Sequence, residues 1–113
     1  MINIDRSSEN EITILKVTGE VDASSSIQLD EEMSQVAIQG AKIIVDLSEL
    51  EYISSAGLGV FMSYISDLED KKMTLVLFGM KEKVLQVFQI LGLDQLLTIE
   101  ENKEEAIKKA SDL

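Results

Sequence analysis

Apolar and polar positions change period several times along the chain, and each change marks an expected element. Ile12-Thr-Ile-Leu-Lys-Val-Thr18 is rich in β-branched residues, with Ile12, Ile14 and Lys16 on one face and Thr13, Leu15 and Val17 on the other, the period-two pattern of a strand. Ile2–Asp5 is a shorter strand candidate, and the polar stretch Arg6–Glu11 between them reads as a turn; the two strands are expected to form an antiparallel hairpin. From Ile27 onward Leu29, Met33, Val36 and Ala37 recur at helical spacing, preceded by Ser24-Ser25-Ser26 and followed by Gly40. The serines supply N-cap hydroxyls, Ser25 and Gln28 have capping-box spacing, and Gly40 is the natural C-cap.

Lys42-Ile-Ile-Val-Asp46 and Met73-Thr-Leu-Val-Leu-Phe78 are compact apolar runs of the kind buried on both sides of a parallel sheet. Between them a polar turn leads to one predicted helix over 56–70, with Leu58, Phe61, Met62, Ile65 and Leu68 as its apolar face. Val84, Val87, Phe88 and Leu91 mark a further helix ending at Gly92, and residues 96–99 a short last strand. Ala106, Ile107 and Ala110 mark a final helix, acidic in its first turn and basic in its last, as the helix dipole prefers. The order β-β-α-β-α-β-α-β-α predicts a single α/β domain over 1–113: a mixed, mainly parallel sheet with one antiparallel edge strand and helices packed on it.

Composition narrows what such a domain can do. The 113 residues include no His, Cys, Trp or Pro, and 21 acidic against 10 basic side chains give a net charge of −11. With 45% apolar residues the chain can form a core and is not a disordered acidic tail. Without His or Cys there is no Ser-His-Asp or Cys-His nucleophile pair, no thiol redox chemistry and no ordinary zinc site. The charge disfavours nucleic acid and anionic membrane surfaces, both of which are bound chiefly through Lys and Arg. No signal peptide is visible at the start, and the longest apolar block, 56–62, is far shorter than a spanning helix needs, so a cytoplasmic protein without direct membrane insertion is expected. The charge is uneven: residues 1–56 carry 11 acidic and 3 basic side chains, a net −8. That half is either a solubilising surface or a face that steers a basic partner.

Chemistry in parallel sheets gathers at the carboxyl ends of strands. One such end runs into Gly19-Glu-Val-Asp22, and another leads through Asp46-Leu-Ser48 to Tyr52-Ile-Ser54-Ser55-Ala56-Gly57-Leu58-Gly59. If the strands are parallel neighbours, Asp22 and the serine pair come together. A helix start has unpartnered N–H groups and a positive dipole end. Ser54 and Ser55 there are suited either to plain N-capping or to accepting a phosphate. Gly57 and Gly59 each cost roughly 1 kcal/mol in a helix interior, which close packing on the sheet or the close approach of another protein's backbone would explain. An enzyme reading is weak. The glycines lack the spacing and Lys of a phosphate-binding loop, Ser55 has no Ser-x-x-Lys partner, and Asp22 with Asp46 is too sparse a set of ligands for a metal.

At these residues the chain resembles the STAS-domain anti-sigma factor antagonists. Ser54-Ser55-Ala56-Gly57-Leu58-Gly59 matches the family's phosphorylation motif, with Ser55 at the modified position. Asp22 matches the acidic residue beside it, and Val45-Asp-Leu-Ser48 the strand leading in. The chain departs from the pattern in carrying Ser54 where many members have Asp, which makes Ser54 the alternative acceptor. The resemblance implies a non-enzymatic, cofactor-free switch. The unmodified form would use Asp22 and residues 54–59 to bind an anti-sigma factor that is also a serine kinase, freeing the sigma factor. Phosphorylation would release the partner, and a PP2C-type phosphatase would reset the switch. STAS domains also occur in transport assemblies, so a non-catalytic subunit of a membrane transport complex is the alternative.

Overall fold

In the computed structural model, which describes residues 2–112, the N-terminal hairpin is longer than its apolar pattern suggests. β1 (Ile2–Glu9) and β2 (Ile12–Val21) pair antiparallel, from Ile2 opposite Gly19 to Glu9 opposite Ile12. Arg6–Glu9 are strand rather than turn because β1 is an edge, where polar side chains remain in solvent. The turn shrinks to Asn10-Glu11, whose φ angles of 53° and 66° are the left-handed pair required by a two-residue hairpin. Arg6 ties the edge down by donating to Glu32 Oε2 and Gln35 Oε1, both at 2.7 Å, on the first helix.

The remaining strands are β3 (Lys42–Asp46), β4 (Leu50–Ile53), β5 (Thr74–Phe78) and β6 (Thr98–Glu100). The sheet order is β1-β2-β3-β5-β6, with all pairs after the first parallel, and β4 pairs with β2 off this path. β2 is long enough to serve two neighbours: Thr13–Lys16 pair with β3, and Gly19–Val21 with β4. The register shifts between Gly19 and Glu20, and Gly19 takes φ 111°, a conformation open to glycine.

Helices α1 (Ser25–Val36), α2 (Ser55–Ser63), α3 (Ile65–Asp70) and α4 (Glu82–Ile90) lie on one face of the sheet, and α5 (Lys103–Asp112) on the other. Strand alternation sorts the core accordingly. Leu15, Val17, Val45 and Leu77 pack with Leu29, Met33, Phe61 and Phe88, while Ile12, Ile14, Ile44 and Val76 pack with Ala106 and Ala110. The expected α/β architecture is therefore present.

Four further details differ from the sequence expectation. The helix expected over 56–70 is two helices, broken at Tyr64, whose buried ring sends its hydroxyl to Asp30 Oδ1 at 3.1 Å. α1 ends four residues before Gly40, which instead forms the turn into β3. A short 3-10 turn, Leu93–Gln95, displaces the last strand to Thr98–Glu100. The capping box at Ser25 and Gln28 is absent: Ser25 Oγ instead accepts from Asp22 N at 2.8 Å, and its one proton is shared between Asp22 Oδ1 at 2.9 Å and Glu20 O at 3.0 Å.

Candidate functional site

β4 is the element that assembles the site. Because Val21 lies opposite Ile53, the residues that follow the two strand ends, Asp22 and Ser54, are neighbours, and Ser54 N donates to Val21 O at 2.8 Å. The two strand ends lie side by side as the sequence leads one to expect, joined through Ser54. β3 pairs with β2 as anticipated, but it is the unforeseen β4 that delivers the serines.

The two serines have different employment. Ser54 is half-buried and extended (φ −84°, ψ 172°), and its Oγ accepts from Gly57 N at 3.2 Å while its carbonyl accepts from Leu58 N at 3.0 Å. It is the N-cap of α2. Ser55 is the first helical residue, exposed, and its hydroxyl makes no hydrogen bond among the described residues. It stands at the positive end of α2, where an added anion is locally favoured.

Asp22 faces its own loop. Its Oδ1 accepts from Ser25 N at 2.8 Å, Ser25 Oγ at 2.9 Å and Ser24 Oγ at 3.0 Å. These bonds, led by the Ser25 backbone N–H, hold its carboxyl at about 2, below the ordinary 3.8. No hydrogen bond joins it to Ser54 or Ser55 among the described residues, so Asp22 organises the start of α1 beside the serines. Asp46 is similarly occupied, accepting from Ser48 N at 2.9 Å and Ser48 Oγ at 2.7 Å. Among the described residues no group of three or more carboxylates could hold a metal.

The glycines separate cleanly. A Cβ on Gly57 would lie 2.6 Å from Val21 Cγ1 and 2.7 Å from Ile53 Cγ1, so this residue permits α2 to seat on β2 and β4. A Cβ on Gly59 would meet nothing within 4 Å. Gly59 instead lines a shallow groove of about 340 Å³ between α1 and α2, with Ala56, Val60, Ser26 and Ile27. Ala56 is exposed and Leu58 is buried in the core. Ile27, whose place at the head of a helical apolar series reads as core, is instead 62% exposed beside this groove.

The three-layer α/β/α domain thus carries an exposed serine at a helix start, flanked by a capped loop and a shallow groove. Residues 3–106 match the STAS domain family. The anti-sigma-B factor antagonist of Listeria monocytogenes is 33% identical over 84 residues, 74% of each chain. That of Bacillus subtilis is 31% identical over 108 residues, 95% of this chain and 98% of the relative. Among solved structures, the Bacillus cell fate determinant SpoIIAA in its phosphorylated form superposes with a TM-score of 0.69 at 24% identity, covering 96% of this chain and 98% of that one. The chain belongs to the STAS domain family. No described helix is long and apolar enough to cross a membrane.

Proposed function

We propose that the protein is an anti-sigma factor antagonist, a cytoplasmic, non-catalytic switch that binds an anti-sigma factor through Asp22, residues 54–59 and the α1–α2 groove. Phosphorylation of Ser55 turns that binding off. The observation that carries the reading is the division of labour in the serine pair: Ser54 Oγ is committed to capping α2 through Gly57 N, whereas Ser55 Oγ is exposed and free for transfer of a phosphoryl group. The relatives named anti-sigma-B factor antagonists support the choice of partner class.

The anti-sigma factor acts as the serine kinase, and a PP2C-type phosphatase restores the free hydroxyl. A phosphate adds about −1.5 to −2 charge at neutral pH at the end of a half that already carries 11 acidic residues. The dipole of α2 offsets its local cost, so the opposition falls on the partner's surface. Incubation with the kinase and ATP is expected to add one phosphate, retained in Ser54→Ala and lost in Ser55→Ala, as read by intact-protein mass spectrometry. Ser55→Asp is expected to weaken binding of the anti-sigma factor in calorimetry. Phosphate that survives in Ser55→Ala and disappears in Ser54→Ala would reverse the assignment.

A further inference from the structure

A second surface lies along the β6 edge of the sheet, lined by none of residues 54–59. A groove of about 440 Å³ lies between the loop after β5, α4 and the turn leading from β6 into α5. Its apolar wall is Met80, Leu85 and Ile99, and its rim includes Glu82, Asp94, Glu100 and Glu101. It sits at the carboxyl ends of β5 and β6, where open α/β sheets place their binding crevices. None of the four carboxylates pairs with a Lys or Arg among the described residues, although Asp94 and Glu100 are half-buried. The chain beside the groove leaves Ile90, Leu91 and Leu96 at 81%, 56% and 57% exposure.

We propose that this groove docks a basic amphipathic segment of a partner protein, on a surface distinct from residues 54–59. The apolar wall and the exposed leucines match the segment's apolar face, and the uncompensated carboxylates match its Lys and Arg. A second copy is a poor occupant, since each chain brings a net −11 to the contact. A single metal ion is also a poor occupant, because the described carboxylates do not converge on one point.

The probe is a fluorescent Lys/Leu amphipathic peptide of about four helical turns, with a Glu/Leu peptide of the same pattern as control. Amide chemical-shift mapping on the whole protein is expected to place the Lys/Leu peptide at Met80, Leu85, Leu96 and Glu101. Glu100→Lys with Glu101→Lys should weaken binding about tenfold or more, and Leu96→Ser, at an exposed position, should weaken it without altering charge. Glu31→Lys with Glu69→Lys, an equal charge change elsewhere, should leave affinity within about twofold. Shifts scattered over α1, equal losses in the two double variants, or equal binding of the Glu/Leu peptide would overturn the proposal. Concentration-dependent dimerisation abolished by Leu96→Ser would assign the groove to a second copy and also overturn it.

Discussion

Gly57 and Gly59 stand two residues apart on one helix and look alike in sequence, yet packing gives them opposite roles. A methyl at Gly57 would collide with Val21 and Ile53, both buried and held between strand and helix. Gly57→Ala is expected to cost about 1–3 kcal/mol by overpacking. Gly59→Ala meets open space and should gain up to about 1 kcal/mol from helix propensity, while weakening partner binding by narrowing the groove. Urea unfolding of the two variants checks the contrast; equal shifts of their midpoints would refute it. Asp22 gives a second test at this scale. Its carboxyl is lowered to about 2 in the fold from an ordinary 3.8, so the folded state favours the ionised form. The stability this contributes is complete above about pH 4 and is lost as pH falls toward 2. The difference in unfolding midpoint between the protein and Asp22→Asn should therefore shrink between pH 5 and pH 2. A difference that stays constant or grows would remove the loop-capping role. The positions of Ser55 and Asp22 were legible from sequence because helix starts and strand ends announce themselves by residue type. What the Asp22 carboxylate touches was not, since that depends on a loop closing on itself.

Among the elements, those with a sustained run of buried positions, on one face or both, were legible and those resting on few anchors were not. β2, β3, β5 and α1 follow directly from β-branched runs and the spacing of Leu29, Met33 and Val36. β4 escaped because only Leu50 and Ile53 are buried while Glu51 and Tyr52 face solvent, too short a pattern to exceed a turn. It exists because β2 extends past β3 and offers it an edge, a tertiary cause with no local signature. Its outer side is held by Glu51, which pairs with Lys81 and with Lys83 at 3.6 Å, and these lysines lower the Glu51 carboxyl. The break at Tyr64 was hidden for the converse reason: Leu58 and Phe61 before it, and Ile65 and Leu68 after it, all keep to the core side, so the apolar period runs through the interruption. Burial first, and the bond to Asp30 second, push the Tyr64 hydroxyl up to about 12, so it remains a donor throughout the physiological range.

At the scale of the molecule, charge and size set a condition that no single element reveals. A net −11 sits on a body about 29 × 25 × 24 Å across. The screening length is about 30 Å at 10 mM salt and about 8 Å at 150 mM, so at low salt every carboxylate feels every other, and at physiological salt only its neighbours. The opposing effect is the screening of the five surface ion pairs among the described residues, each worth about 0–1 kcal/mol. With 21 acidic side chains against 10 basic ones, repulsion outweighs these pairs. The urea midpoint should rise from about 10 to about 150 mM salt with little change in slope. Over the same range the Lys/Leu peptide should bind the β6 groove more weakly, because there the charges attract rather than repel. Opposite responses of folding and docking in one salt series identify the acidic surface as a means of steering partners that the fold tolerates at some cost. If the midpoint fell with salt alongside the affinity, the ion pairs would outweigh the repulsion and the excess charge would belong to the stability of the fold.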